Sequence, residues 1–137
     1  MKENLLMLLN NSYSPLSNYK TACIIICNNG QEFIGVNVEN PSSKSGLCAE
    51  QVALSSAITD GYGKEDFKEI HVMGSGNEYC MPCFLCRELL HEFFKENVKV
   101  FCYNKKGKVK EFLVKELCPY PFELEDSNGK WIRKIIK

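Results

Sequence analysis

The chain has 137 residues, of which 45% are hydrophobic and 25% charged, so it is expected to form a single globular domain over residues 1–137 without disulfide support. Its seventeen basic and seventeen acidic residues cancel, and the lysines are scattered, which argues against nucleic acid or an anionic membrane as partner and favours a small-molecule ligand. Residues 1–10 are too short and polar for a secretory signal, and no apolar run approaches the roughly 18 residues that cross a bilayer, so we expect a cytoplasmic protein without a membrane segment.

The first half of the chain predicts a helix, two strands and a second helix. Leucines at positions 5, 6, 8 and 9 indicate an opening helix that packs by one face. After a polar loop at 13–19, apolar and β-branched residues predict strands at 21–27 and 32–38, joined by a hairpin turn. A further loop leads to a helix at 47–58, which places Cys48 at a helix N-terminus.

The second half predicts alternating strands and helices. A strand at 68–73 precedes an amphipathic helix that has Pro82 in its first turn, and two strands follow at 98–103 and 109–114. Residues 127–137 form either a last helix or a partly ordered tail. This order of elements predicts an α/β fold, a three-layer α/β/α domain with a mixed central sheet of about five strands.

Two short cysteine segments carry the chemical signal. Cys48-Ala49-Glu50 and Pro82-Cys83-Phe84-Leu85-Cys86 supply three thiolates and one carboxylate. Zn²⁺ prefers four tetrahedral ligands, so Cys48, Cys83 and Cys86 would leave the fourth position to water, as in catalytic zinc sites. Residues three apart on a helix share a face, and helix N-termini favour thiolates. Glu50 would then carry protons beside the metal.

Other interpretations of these cysteines remain open at this point. Cys80 adds an overlapping C-x-x-C pair, so Cys48, Cys80, Cys83 and Cys86 could form a closed structural site, although such a site gives Glu50 no task. Glu50 could be a surface residue of the first helical turn. Redox chemistry at a C-x-x-C pair would not need the Cys48-Ala49-Glu50 segment.

The remaining cysteines and the two histidines are expected to be structural. Cys23, Cys27 and Cys102 lie in apolar runs, where a free cysteine behaves as a small hydrophobic residue. His71 and His91 lie away from the cysteine segments, so we expect neither to ligate the metal.

The Cys-Ala-Glu and Pro-Cys-x-x-Cys pair resembles the zinc nucleobase deaminases, and its Cys-first form resembles the small homotetrameric cytidine deaminases. Three further segments are similar to motifs of that family. Tyr13-Ser14-Pro15-Leu16-Ser17-Asn18-Tyr19 is similar to its Tyr-Ser-Pro-Tyr-Ser-x-Phe, Gly35-Val36-Asn37-Val38-Glu39-Asn40 to its nucleoside-binding strand, and Leu117-Cys118-Pro119-Tyr120-Pro121-Phe122 to its Leu-Leu-Pro-x-x-Phe. The resemblance covers nearly the whole chain and implies a cytidine deaminase-like fold, a zinc cofactor and a homotetramer.

The resemblance also implies roles for residues that bind substrate. Asn37 and Glu39 would hold the ribose 3′-hydroxyl, Tyr19 and Phe122 would provide aromatic contacts near the base, and the Ala49 N–H would face the pyrimidine carbonyl. Asn37 and Glu39 alternate with valines on the predicted strand, so both would emerge on one face as a buried amide and carboxylate. An exposed polar face of an edge strand is the alternative.

Three departures from the family pattern affect the expected site. Gln51 stands where the family usually has an arginine that offsets thiolate charge. Ser43 stands where an aromatic side chain commonly reaches a neighbouring subunit's site. Phe84 and Leu85 replace a small Gly-Ala pair, so the packing around the metal helix must differ.

The resulting functional hypothesis is hydrolytic deamination of cytidine, and of deoxycytidine, to uridine or deoxyuridine and ammonia by a zinc-activated water, with Glu50 as proton carrier, in pyrimidine salvage. The alternative substrate is a modified cytosine nucleoside of the blasticidin S type. A nucleic-acid editing deaminase is disfavoured by the zero net charge. A zinc-stabilised, non-catalytic binding module would need neither Glu50 nor the Asn37 and Glu39 pair.

Overall fold

The computed structural model describes residues 1–125 and 127–129, which fold around one five-stranded sheet. The helices are α1 Lys2–Leu9, α2 Ala49–Thr59, α3 Phe84–Phe93 and α4 Val114–Leu117. The strands are β1 Thr21–Cys27, β2 Glu32–Val36, β3 Phe67–Gly74, β4 Lys99–Tyr103 and β5 Val109–Leu113. A 3₁₀ turn at Ser43–Ser45 precedes α2.

The strand order in the sheet is β2-β1-β3-β4-β5. β1 pairs antiparallel with β2 and β3, β4 pairs antiparallel with β5, and β3 and β4 are parallel. Parallel neighbours require a crossover connection, and α3 lies in the one between β3 and β4. The predicted mixed sheet of five strands is confirmed.

Helices cover both faces of the sheet because β1 alternates between two cores. Ile24 lies in one buried cluster with Leu5 of α1, whereas Cys23 lies in the other with Ala53 of α2 and Leu90 of α3. This arrangement confirms the three-layer α/β/α architecture. No helix within the described ranges is long and apolar enough to span a membrane.

Two element boundaries differ from those predicted. The second strand ends at Val36 instead of position 38, because Val38 leaves the β1 ladder and exchanges backbone hydrogen bonds of 3.0 and 2.8 Å with Leu47. Pro82 was predicted in the first turn of a helix, but α3 begins at Phe84. Cys83 has an extended backbone (ψ 163°), and its carbonyl accepts the Arg87 N–H at 2.9 Å, so Cys83 is the N-cap and Pro82 precedes it.

Two further differences concern the end of the chain. The fifth strand ends at Leu113, and the short α4 that follows was not predicted; the Glu116 side chain accepts the Leu113 N–H at 2.8 Å and closes its first turn. The prediction for residues 127–137 lies outside the described residues except at 127–129, which form a turn.

The structural cysteines and histidines lie in the packed interior or on its border. Cys23, Cys27 and Cys102 are at most 1% exposed. His71 contacts Glu69 and Tyr103 through its two ring nitrogens, and His91 contacts Glu123. Neither histidine belongs to a potential metal-binding group among the described residues.

Candidate active site

Three cysteine side chains from two helix starts meet at one point. Cys48 is the N-cap of α2, Cys83 is the N-cap of α3, and Cys86 lies in the first turn of α3. Their sulfur atoms all lie within 4.8 Å of one another, and the Cys48 and Cys83 sulfurs are 4.0 Å apart. The structure therefore brings together the three residues that the sequence nominates as zinc ligands.

The glycine in β2 lets the first of these helix starts approach the sheet. A Cβ atom at Gly35 would collide with the Ala49 carbonyl oxygen and would lie 2.6 Å from the Ala53 nitrogen. The backbone of α2 can therefore pack directly against β2 at Ala49, the residue after Cys48.

The donor set fits a zinc ion with one open coordination position. Tetrahedral Zn²⁺ with Zn–S bonds of about 2.3 Å holds its sulfur ligands about 3.8 Å apart, close to the separation of Cys48 and Cys83. Cys86 is buried, Cys48 is partly buried and Cys83 is exposed, so the cluster is accessible from one side. Three thiolates with access from one side correspond to a catalytic site more closely than to a closed structural one.

Two physical effects favour ionisation of Cys48 in the cluster. The hydrogen bond from the Cys86 thiol is the main cause that lowers the pKa of the Cys48 thiol to about 7. The unpaired N–H groups at the starts of α2 and α3 also place positive potential at the sulfurs. Both effects favour the thiolate form of Cys48, whereas the same hydrogen bond and burial raise the pKa of the Cys86 thiol.

Glu50 is enclosed beside this cluster. It is the second residue of α2, its exposed fraction is 7%, and its side chain lines a cavity. Burial raises the pKa of the Glu50 carboxyl above its ordinary value. The position contradicts the alternative of a solvent-exposed glutamate in the first helical turn.

Cys80 lies near the site but outside the group of three sulfurs. Burial raises the pKa of its thiol to about 11, and the Tyr19 hydroxyl donates a hydrogen bond to its sulfur. The Tyr19 ring occupies space left open by Gly74, where a Cβ atom would lie 2.9 Å from the ring Cζ atom. Cys80 is thus paired with Tyr19, and this arrangement does not support the four-cysteine alternative.

A cavity of about 490 Å³ opens next to the cysteine cluster, a volume typical of small-molecule sites. Of the described residues that line it, Glu39 and Glu50 carry the only formal side-chain charges apart from ionisable cysteines. Tyr19 and Asn37 also line it, and the apolar lining comes from Leu16, Val38, Leu47, Met81 and Leu85.

Asn37 faces the cavity from just beyond the end of β2. Its Oδ1 atom accepts hydrogen bonds from the Ser12 hydroxyl and from the Thr21 N–H at 2.9 Å. Its Nδ2 atom donates to the Tyr19 carbonyl at 2.9 Å. Asn37 therefore connects the end of β2 to both ends of the preceding polar loop.

Glu39 faces the cavity two residues later and is partly exposed, not buried as expected. Its Oε1 atom accepts the Leu16 and Ser17 N–H groups at 2.9 and 3.1 Å, and its Oε2 atom accepts the Ser17 hydroxyl at 2.5 Å. The Ser17 hydroxyl is the main cause that lowers the pKa of Glu39, so this side chain is a carboxylate at neutral pH.

Of two further residues predicted to bind substrate, Ala49 lies at the site and Phe122 does not. Ala49 is the first residue of α2 and is fully buried, so its N–H belongs to the unpaired first turn of that helix beside Cys48 and Glu50. Phe122 does not line the cavity, its exposed fraction is 70%, and its N–H donates to Glu88 at 3.2 Å. The described structure does not bring the Phe122 ring to this site.

The residues that depart from the family pattern also have definite places. Ser43 and Gln51 line the cavity, and the Gln51 Oε1 atom accepts the Cys48 N–H at 2.8 Å. Phe84 is 74% exposed and its ring lies under the Arg87 guanidinium, with 4.4 Å between the Cζ atom and the ring centroid. The larger residues between the last two cysteines therefore point away from the core, and Leu85 borders the cavity.

Sequence reasoning missed two residues that shape the site. Arg87 donates to the Pro82 carbonyl at 2.8 Å and to the Leu117 carbonyl at 3.4 Å, which fixes the turn before Cys83. Its position directly after Cys86 was the available signal. Ser17 holds Glu39, but only the fold brings these residues together, so no local pattern indicates the contact.

Comparisons with known proteins agree with this site. Residues 1–102 match the family model of the cytidine and deoxycytidylate deaminase zinc-binding region. The chain is 40% identical over 115 residues to the cytidine deaminase of Mycoplasma genitalium, covering 84% of this chain and 87% of the relative. It is 34% identical over 110 residues to that of Mycoplasma pneumoniae, covering 80% and 81% of the two chains.

Solved structures give the same result for the fold. The crystal structure of cytidine deaminase from Burkholderia pseudomallei is similar with a TM-score of 0.83 and 34% sequence identity, over 88% of this chain and 94% of that one. The cytidine deaminase structure from Mycobacterium leprae has a TM-score of 0.72 and 29% identity, over 87% and 94% of the two chains. The chain therefore belongs to the family of cytidine and deoxycytidylate deaminases that share this zinc-binding region.

Proposed function

We propose that this protein catalyses the hydrolytic deamination of cytidine, and of deoxycytidine, to uridine or deoxyuridine and ammonia, as a reaction of pyrimidine salvage. The observation that carries the proposal is the enclosed Glu50 carboxylate beside three convergent cysteine sulfurs, at a cavity large enough for a nucleoside. The name of the 40% identical relative, cytidine deaminase, supports the same reaction here.

The chemistry follows from the residues around the cysteine cluster. Zinc held by Cys48, Cys83 and Cys86 would supply a water acidified toward a pKa of about 7, able to add to C4 of cytosine. Glu50 would accept a proton from that water and deliver it to N3, and would then move the remaining proton of the hydroxyl added at C4 to the C4 amino group. A C–O bond forms and a C–N bond breaks, so water is consumed and ammonia leaves. The Ala49 N–H donates to the pyrimidine carbonyl and orients the ring.

Hydrogen-bonding capacity supports Asn37 and Glu39 as a pair that binds one sugar hydroxyl. The Asn37 Oδ1 atom already accepts twice and its amide nitrogen donates once, which leaves one N–H. Glu39 already accepts three hydrogen bonds, of about four that a carboxylate can accept. One remaining donor and one remaining acceptor match a single hydroxyl. We assign it to the ribose 3′-hydroxyl, the group that the family resemblance implies. Ribose and deoxyribose share that group, which supports both substrates.

The aromatic contacts are proposed with different support. The Tyr19 ring lines the cavity and its hydroxyl is held by Cys80, so it is placed to contact the pyrimidine. The role of Phe122 near the base rests on the resemblance.

The charge of the cavity favours a nucleoside over a nucleotide. No lysine or arginine is among the described residues that line it, and Glu39 would repel a 5′-phosphate. With the zinc-loaded protein, loss of the cytidine absorbance band and release of ammonia should show deamination of cytidine. We expect kcat/KM for cytidine to exceed that for cytidine 5′-monophosphate or deoxycytidylate by at least about tenfold. Equal values would contradict the assignment of a nucleoside substrate.

We further infer a cytoplasmic homotetramer in which residues 1–137 form one deaminase domain. Two buried clusters on opposite faces of one sheet support a single domain. Leu16, Leu47 and Leu85 are at least 50% exposed at the cavity, which is compatible with a surface covered by another subunit. Light scattering of the zinc-loaded protein tests the tetramer.

Neither alternative function gains support. A non-catalytic zinc module would not require a buried carboxylate beside the metal ligands, yet Glu50 is there. A blasticidin S type substrate is not favoured by relatives named as cytidine deaminases.

A further inference from the structure

The Ser17 hydroxyl connects two parts of the candidate nucleoside site. It donates to the Glu39 Oε2 atom at 2.5 Å and accepts the Tyr19 N–H at 3.0 Å. The Ser17 N–H also donates to the Glu39 Oε1 atom at 3.1 Å. A single serine therefore contacts both carboxylate oxygens and the backbone of the aromatic residue that lines the same cavity.

These contacts restrain the plane of the Glu39 carboxylate. Donors that engage both oxygens restrict rotation about the last side-chain bond, and hydrogen bonds to a charged acceptor are the stronger kind. They also leave a defined acceptor position for the sugar hydroxyl. Without the Ser17 hydroxyl, the Oε2 atom would have two positions available to water and a wider range of orientations.

The same hydroxyl restrains the position of Tyr19. Its acceptor bond from the Tyr19 N–H closes a two-residue turn, and Asn37 binds the Tyr19 carbonyl at 2.9 Å. The peptide groups on both sides of the Tyr19 Cα atom are thus held by side chains, one of which also contacts Glu39. A change at Ser17 therefore acts first on the Glu39 carboxylate and on the backbone of Tyr19.

We propose that Ser17 is a positioning residue for nucleoside recognition, which presents the Glu39 carboxylate to the sugar hydroxyl. This inference rests on the proposed function, in which Glu39 binds that hydroxyl. Ser17 does not contact the reacting atoms, so its loss should raise KM and leave kcat nearly unchanged.

The experiment compares Ser17→Ala, Ser17→Thr and Ser75→Ala in the zinc-loaded protein. Ser17→Ala should raise KM for cytidine about fivefold, and Ser17→Thr, which keeps the hydroxyl, should restore it. Ser75→Ala is the matched control, because the Ser75 hydroxyl likewise accepts a backbone N–H at the end of the same loop, that of Lys20 at 2.9 Å. The proposal is wrong if Ser75→Ala raises KM as much as Ser17→Ala does, or if Ser17→Ala lowers kcat while it raises KM. Either result would indicate a general loosening of the loop.

A second comparison separates this inference from the function on which it rests. With 3′-deoxycytidine, which lacks the hydroxyl, Ser17→Ala should leave KM unchanged. Glu39→Ala should raise KM for cytidine, and Ser17→Ala added to it should have no further effect. If Glu39→Ala leaves KM for cytidine unchanged, Glu39 does not bind the sugar. If Glu39→Ala raises KM for cytidine but Ser17→Ala does not, only the proposed role of Ser17 is wrong.

Discussion

At the scale of single residues, the proposed role of Glu50 depends on both its position in the sequence and its burial in the fold. Its place two residues after Cys48 is a sequence feature, whereas its enclosure, with 7% of its surface exposed, results from the packing of α2. The short spacing brings the carboxylate beside the candidate ligands, and burial would keep bulk water from competing in the proposed proton transfer.

Glu50→Gln should keep zinc and lose turnover, because the amide has the same volume but cannot carry protons. We expect kcat for cytidine to fall by about a hundredfold or more. Cys86→Ala is the contrasting variant and should lose zinc and stability together. Zinc content by elemental analysis and steady-state rates check both. Deamination by Glu50→Gln at a near wild-type rate would rule out the mechanism.

At the scale of elements, the start of α2 joins helix capping to metal binding. Cys48 is both N-cap and candidate ligand, and its N–H is held by the Gln51 side chain at 2.8 Å. Gln51, which stands where the family usually has arginine, can accept this hydrogen bond. An arginine could not, because a guanidinium has no acceptor atom.

Gln51→Ala should lower the free energy of unfolding by about 0.5 to 2 kcal/mol, the usual effect of losing a cap. Gln51→Arg should show a similar loss of the cap, whereas Gln51→Glu keeps an acceptor and should retain most of the stability. Urea denaturation of the three variants at one zinc concentration measures this. Equal stability of the alanine and glutamate variants would show that the Gln51 contact contributes little.

At the scale of the whole molecule, His71 couples folding to pH. Its ring is stacked on Phe101 with 4.5 Å between centroids, and its nitrogens contact Tyr103 and Glu69 at 2.8 and 3.0 Å. Burial lowers the pKa of His71, and the N-terminal amino group adds to this, while Glu69 and Glu32 oppose it. The folded state therefore binds the proton less readily than the unfolded state does.

The contribution of neutral His71 to the free energy of unfolding should be fully present above the unfolded pKa of about 6.5. It should decrease as the pH falls toward the lower pKa of the folded state. His71→Gln removes the titration, so its urea midpoint should fall less than the wild-type midpoint between about pH 7.5 and pH 5. Acid effects on the cysteine cluster occur in both proteins and cancel in the comparison. Equal decreases in the two proteins would exclude His71 as a source of pH dependence.

Local patterns were sufficient for much of the architecture and for the reactive residues. The apolar, β-branched run of Thr21–Cys27 and the helical spacing of apolar and small residues in Ala49–Thr59 identify these elements. Cys48, Glu50, Cys83 and Cys86 were recognisable because metal ligands and a proton carrier at helix starts have short, regular spacings.

Contacts between distant segments were not accessible from such patterns. Val38 leaves the β1 ladder because it forms backbone hydrogen bonds with Leu47 instead. Cys80 accepts a hydrogen bond from Tyr19 and lies outside the group of three cysteines. Ser17 contacts Glu39, which is 22 residues away in the sequence. Periodicity and capping act within a few residues, whereas these hydrogen bonds join segments whose distance is decided by how α2, the sheet and the N-terminal loop pack. For that reason the reaction chemistry could be inferred from local spacing, while the walls of the nucleoside cavity became defined only by packing.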